Sequence, residues 1–204
     1  MRKLKLQVQV SVDGYIAASG GRTDWMIWNW GEEWNWDDAL KKYFNEMTET
    51  VDSVLLSRNM AEEGFIGHWA NVAGKHAGKH DGDQYRFAER IVSAQKVVFT
   101  RTLEKSVWKN TVLAKGELED EIGKLKNADG KDIIAYGGAE FASSLIKAGV
   151  IDEFQFFVNP SILGEGLSIF KEIGGIMDLA LVSAKSYSCG VAVLVYESRK
   201  KKGK

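Results

Sequence analysis

Hydrophobic and polar positions alternate strictly near the start of the chain. Leu4, Leu6, Val8, Val10 and Val12 are separated by Lys5, Gln7, Gln9 and Ser11. A period of two predicts a β-strand over residues 4–12, with one face turned to polar surroundings or to a ligand. Shorter apolar runs predict strands at 53–56, 96–100, 111–113, 132–136 and 153–158. Apolar residues at helical spacing predict helices over 37–49, 83–94, 118–125 and 140–148. The last of these turns Phe141, Leu145 and Ile146 inward and ends near Gly149. Strands interleaved with helices imply a parallel sheet with crossover helices on its faces, an α/β class. The end of the chain differs. Residues 179–187 and 191–197, joined by Ser188-Cys189-Gly190, predict an antiparallel hairpin at the sheet edge.

Composition narrows this picture only a little. The 204 residues are 45% hydrophobic and 27% charged, enough for one sizeable core, and one domain is expected over 1–198. Twenty-seven basic against 28 acidic residues leave a net charge of −1, which argues against bulk binding to nucleic acid. The basic run at 199–204 reads as a solvated tail. A single cysteine, Cys189, cannot form an internal disulfide, so a reducing cytoplasm is expected. No stretch approaches membrane-spanning length.

The candidate chemistry centres on Gly137-Gly138, set between the predicted strand 132–136 and the helix that follows. Paired glycines at such a junction let the backbone approach a ligand, and the free N–H groups of the helix start favour an anion such as phosphate. A plain glycine turn is the competing reading. Two other predicted strands end in an arginine flanked by hydroxyl or amide residues, Ser57-Arg58-Asn59 and Thr100-Arg101-Thr102. At the carboxyl ends of parallel strands such groups face the ligand crevice, and Arg forms forked bonds to phosphate.

These segments stand in a particular order with Ser11-Val12-Asp13-Gly14-Tyr15, Gly149-Val150-Ile151-Asp152-Glu153 and residues 159–167, Asn-Pro-Ser-Ile-Leu-Gly-Glu-Gly-Leu. Taken together they resemble the dihydrofolate-reductase-like superfamily, in particular stand-alone proteins similar to the C-terminal reductase domain of bacterial riboflavin biosynthesis. The resemblance runs from Leu4 to about Tyr196. It implies a three-layer α/β/α fold with a mostly parallel central sheet and a C-terminal antiparallel hairpin. It also implies NADPH as cofactor and a homodimer.

By the same resemblance the cofactor's pyrophosphate side lies at Ser57, Arg58 and Asn59, and its 2′-phosphate at Thr100, Arg101 and Thr102. Tyr136, Gly137, Gly138, Ala139, Glu140 and Phe141 complete the cofactor side, with Ala17 from the first segment. The first of these motifs departs from the family's common form, which has glycine where Ser57 stands and often Thr-Tyr where Met60-Ala61 stand. Dihydrofolate reductases carry a cis peptide between two glycines at this place, so the resemblance predicts a cis Gly137–Gly138 bond.

On the substrate side, Asp13 resembles the acid of the family's Ser-Leu-Asp-Gly motif; it reads equally as a turn aspartate before glycine. Reduction of a C=N bond also needs a proton, from a side chain or from water. In dihydrofolate reductases a carboxylate on the first long helix supplies it, which makes Asp37, Asp38 and Glu46 the candidates and Asp38 the nearest by spacing. Asp37 and Asp38 also fit ordinary helix N-terminal carboxylates. Trp25, Trp28, Trp30, Trp34 and Trp36 fall where the family places the lid over the pocket; two at most are expected to stack on a flat heterocycle, the rest to pack.

His68, His76, His80, Asp81 and Asp83 suggest a metal cluster, yet the glycine- and lysine-rich sequence around them is a poor helix and reads as a surface loop, so no metal is expected. Two functions stay open. One is an NADPH-dependent reductase of a pterin-, folate- or pyrimidine-like heterocycle, of the 5-amino-6-(5-phosphoribosylamino)uracil reductase or dihydrofolate reductase type. The other is a non-catalytic nucleotide- or pterin-binding protein on the same fold.

Overall fold

The computed structural model describes residues 1–31, 33–75 and 82–199. Eight strands and six α-helices lie among them: β1 (Leu4–Val10), α1 (Asp38–Glu49), β2 (Val51–Ser57), α2 (Arg58–Glu62), α3 (Phe65–Lys75), α4 (Asp83–Ser93), β3 (Gln95–Phe99), β4 (Thr111–Ala114), α5 (Leu118–Asn127), β5 (Asp132–Tyr136), α6 (Ala139–Lys147), β6 (Glu153–Val158), β7 (Leu179–Ser186) and β8 (Ala192–Ser198). The fold is α/β and mostly parallel, with an antiparallel C-terminal pair. Two compact units compose it, one of Met1–Arg2 with Asp38–Gly138, the other of Lys3–Asp37 with Ala139–Lys204.

In the first unit, four parallel strands run in the order β4-β3-β2-β5. Their apolar runs are buried throughout, as in Val54, Leu55 and Leu56 of β2 and Ile133, Ile134 and Ala135 of β5, because helices cover such strands. Phe44 of α1, Trp69 of α3 and Phe87 of α4 meet in one aromatic cluster, with Phe87 4.8 Å from Phe44 and 4.7 Å from Trp69. Arg90 of α4 binds α1 by donating to the Asn45 carbonyl at 2.9 Å and to Thr48 Oγ1 at 2.7 Å. Lys96 is also buried, and its ammonium caps the end of α4 through the carbonyls of Ile91 and Val92 at 3.2 and 2.7 Å. Desolvation lowers the Lys96 pKa.

In the second unit, β1 runs parallel to β6, and β8 and β7 follow antiparallel. The alternation of β1 does not mark a face turned to polar surroundings. Lys5, Gln7 and Gln9 are buried along with Leu4 and Leu6. The amides are satisfied by partners distant in sequence: Gln7 Nε2 donates to Gln155 Oε1 at 2.8 Å from its register partner, and Gln9 Nε2 to the Trp28 carbonyl at 2.7 Å. A buried polar group survives in a core only when it is paired in this way.

Candidate functional site

Three neighbouring strands of the first unit bring the phosphate-type motifs together. Ser57 of β2 stands opposite Phe99 of β3, and Leu56 opposite Tyr136 of β5, so Arg58, Thr100 and Gly137 all leave the sheet at one end. That is the carboxyl end, where open α/β sheets take ligands. The Ser57 hydroxyl accepts from the Met60 N–H at 3.2 Å and caps α2, which makes Arg58 the first helical residue rather than part of a loop. Arg58 Nη1 donates to Thr102 Oγ1 at 2.7 Å, and its Nε lies 3.5 Å from Glu62. Thr102 retains its own hydroxyl proton for a further acceptor.

Thr100 is buried, and its hydroxyl accepts from the Thr102 and Leu103 N–H groups at 3.2 and 3.1 Å, so it shapes the loop more than it presents a surface. Arg101 projects outward and lies 3.8 Å from Glu117. Asn59 is exposed, and Tyr136 is buried, which pushes its phenol well above the ordinary value.

The Gly137–Gly138 peptide is trans, since no described residue carries a cis bond. This corrects the expectation drawn from dihydrofolate reductases; a trans bond avoids the roughly 2.5–4 kcal/mol that a cis bond between non-proline residues costs. Gly138 is exposed, and a Cβ added to it would meet no atom within 4 Å. Packing therefore does not demand a glycine here. α6 starts directly after it, with Ala139 half-buried, Glu140 exposed in the first turn and Phe141 half-buried.

The second unit joins the other motifs. Residues 10–17 and 159–167 zip together through the backbone: Asn159 N to Val10 O at 2.8 Å, Val12 N to Ser161 O at 2.8 Å, and, at the Ala17–Leu167 bridge, Ile16 N to Leu167 O at 2.9 Å and Leu167 N to Ala17 O at 2.8 Å. Ala17 is buried in that bridge. The Asp13 carboxylate accepts from Ser11 Oγ at 2.7 Å, from Gly164 N at 2.7 Å and from Leu163 N at 3.1 Å. The Ser11 hydroxyl, helped by the Gly164 and Leu163 N–H groups, holds the Asp13 pKa below its ordinary value.

The contacts make Asp13 a clasp on the loop, ionised at neutral pH. The clasp is present above the unfolded carboxylate pKa and is lost as pH falls through the lowered folded value. Asp13→Asn, whose amide nitrogen cannot accept, is expected to speed hydrogen exchange at Leu163 and Gly164 at neutral pH. Unchanged protection there would show that the backbone bridge alone holds the loop.

The tryptophans pack mainly on one another. Trp28 and Trp36 are buried; Trp28 stacks on Trp34 at 4.6 Å, and Trp36 lies flat on Phe157 of β6 at 5.3 Å. Asn159 ties this segment to the core, accepting from the Ile27 N–H at 2.9 Å and donating to Gln9 Oε1 at 3.2 Å. Trp25, Trp30 and Trp34 are half-buried. Of the candidate acids, Asp38 has a side chain 97% exposed, 3.2 Å from Lys41. Glu46 is exposed, 4.0 Å from Lys42. Asp37 instead accepts from Ser188 Oγ at 2.9 Å and Cys189 N at 3.0 Å, fastening the β7–β8 turn.

The sequence pattern of the RibD C-terminal domain matches residues 2–193. The chain belongs to the RibD C-terminal domain family. The uncharacterized protein YyaP of Bacillus subtilis (strain 168) is 29% identical over 196 residues, which cover 96% of this chain and 94% of that protein. A solved Shewanella sp. PV-4 protein, described as a candidate riboflavin biosynthesis protein, superposes with a TM-score of 0.68 at 20% identity, covering 98% of this chain and 100% of that one.

The Thermotoga maritima diaminohydroxyphosphoribosylaminopyrimidine deaminase/5-amino-6-(5-phosphoribosylamino)uracil reductase gives a TM-score of 0.64 at 18% identity. It covers 97% of this chain and 57% of the Thermotoga chain. The dihydrofolate-reductase-like fold is thus shown.

In this RibD-type chain, sequence reasoning missed the acids beside both arginines, Glu62 and Glu117, since nothing in their local pattern marks them. A concavity of about 530 Å³ lined by Glu49, Asp52, Arg90 and Lys131 lies at the opposite, amino ends of β2, β3 and β5. Its charges are already committed: Arg2 donates to Asp52, Lys131 Nζ to the Glu49 carbonyl at 3.2 Å, and Arg90 to α1. No group of three or more His, Cys, Asp and Glu side chains among the described residues is placed to hold a metal; His76, His80 and Asp81 lie outside those residues. No helix among the described residues is long and apolar enough to cross a membrane.

Proposed function

We propose that the chain is an NADPH-dependent reductase of a small pterin-, folate- or pyrimidine-like heterocycle, acting in the cytoplasm. The observation that carries this reading is the Arg58–Thr102 pair at the carboxyl ends of β2 and β3, beside the open Gly138 after β5. Two cations, a hydroxyl proton and uncovered backbone at one sheet end fit a dinucleotide with a 2′-phosphate. Bound NADPH supplies a hydride from its nicotinamide. Arg58 and Asn59 hold the pyrophosphate, Arg101 and Thr102 the 2′-phosphate, and Thr100 fixes the loop that carries them. Asp13, already ionised, orders residues 163–164 rather than donating a proton, which leaves Asp38 or water as the donor.

A titration followed by tryptophan fluorescence tests the cofactor. NADPH is expected to saturate and to bind more tightly than NADH. Arg101→Ala is expected to cost NADPH about tenfold or more, the scale of a charge-assisted hydrogen bond, and to leave NADH nearly unchanged. Absent or equal binding of the two dinucleotides sinks the assignment.

One observation favours the second reading, a non-catalytic binder: the Asp13 carboxylate is committed to Ser11, Leu163 and Gly164, which lower its pKa, and the Asp38 side chain stands in solvent beside Lys41, so neither carboxyl is enclosed. Stoichiometric NADPH binding with no oxidation across pterins, folates, flavins and ribosylaminopyrimidines would decide for it.

A homodimer is part of the proposal, on the implication of the riboflavin-type resemblance. Leu181 and Val182 of β7 are more than half exposed, which suits a covered edge. Sedimentation at micromolar concentration is expected to give twice the 22.7 kDa chain mass; a single monomer boundary rejects it.

A further inference from the structure

The guanidinium assigned to the 2′-phosphate does not stand alone. Glu117, which precedes α5 and follows β4 by three residues, brings Oε1 to 3.8 Å from Arg101 Nη2, with side chains 76% and 84% exposed. The Glu117 side chain makes no capping bond to α5, so the helix does not need its carboxylate. Of the other acids in the first turn, Glu121 is taken up by Lys124 at 2.7 Å.

A carboxylate in that place has two chemical effects. It competes with a phosphate dianion for Arg101 and repels it. It is also the group that accepts hydrogen bonds from a ribose 2′-hydroxyl in NAD-binding folds. Resting on the proposed cofactor reading, we propose that Glu117 sets the balance between the two dinucleotides. It holds the preference for NADPH below what Arg101 alone would give, and it offers the 2′-hydroxyl of NADH an acceptor.

The test is isothermal titration of NADPH and NADH into wild type and Glu117→Gln at low salt and at 0.5 M salt. Glutamine keeps the size of the side chain and removes its charge. Glu117→Gln is expected to tighten NADPH by about three- to tenfold, the effect of one unit charge a few ångströms away where solvent screens it nearly as bulk water does. NADH affinity is expected to stay level or fall. The gain for NADPH is expected to shrink at 0.5 M salt, where screening reaches within a few ångströms.

If wild type binds NADPH while the variant leaves the NADPH-to-NADH ratio unchanged or lowers it, this proposal falls and the cofactor reading stands. If wild type binds neither dinucleotide, both fall. A gain that persists at 0.5 M salt overturns the electrostatic account of Glu117.

Discussion

Gly138→Val is expected to weaken NADPH binding by more than about tenfold while leaving the melting temperature close to that of wild type. A Cβ added there meets nothing within 4 Å beyond its chain neighbours, which leaves open space around a β-branched side chain. Nor is Gly138 among the residues with positive φ, so valine meets no backbone strain. Surface substitutions of that kind stay within about 0.5 kcal/mol. Any loss of affinity therefore reports a ligand that comes close to this backbone, at the roughly 1.4 kcal/mol per tenfold of binding arithmetic. Calorimetric titration beside a thermal melt separates the two quantities. Wild-type NADPH affinity in Gly138→Val would remove the glycine pair from the cofactor site.

Gly166→Ala is expected to do the reverse and act on the fold. Its Cβ would collide with the Ala17 carbonyl oxygen, a backbone atom that cannot rotate away. The same oxygen accepts the Leu167 N–H at 2.8 Å, so relief of the clash pulls the bridge between the two loops apart. Overpacking of this kind costs about 1–3 kcal/mol. At this chain length that lowers the melting temperature by about 2–4 °C for each kcal/mol. An unchanged melt would mean that residues 159–167 shift freely, and the clasp built by Asp13 would then have little to hold.

The strands were legible because their apolar runs are short and bounded by turn residues; residues 132–136 and 153–158 match β5 and β6 to the residue. The helices α2 and α3 escaped. Ser57 reads as a strand-end hydroxyl until its bond to Met60 N turns it into a cap, and Gly67 and Gly74 interrupt the pattern of Ile66, Trp69 and Val72. For the candidate site, the residue types at the strand ends were visible but their pairings were not. Arg58 and Thr102 are 44 positions apart, and Asp13 and Gly164 are 151 apart. Only the register of the sheet and the closure of the loops bring such partners within bonding distance. The polar positions of β1 misled for the same reason, since Gln155 and Asn159 arrive from β6 and the segment after it.

Three of the bonds that hold the tryptophan segment are made by amides: Gln9 to the Trp28 carbonyl, Asn159 to Gln9, and the Ile27 N–H to Asn159. Amide side chains do not titrate in water. The middle of the aromatic segment is thus moored by groups blind to acidity, while the neighbouring loop is moored by a carboxylate. Acidification would loosen the carboxylate clasp and leave these amide bonds in place, so two moorings of one unit answer differently to the same change of solvent.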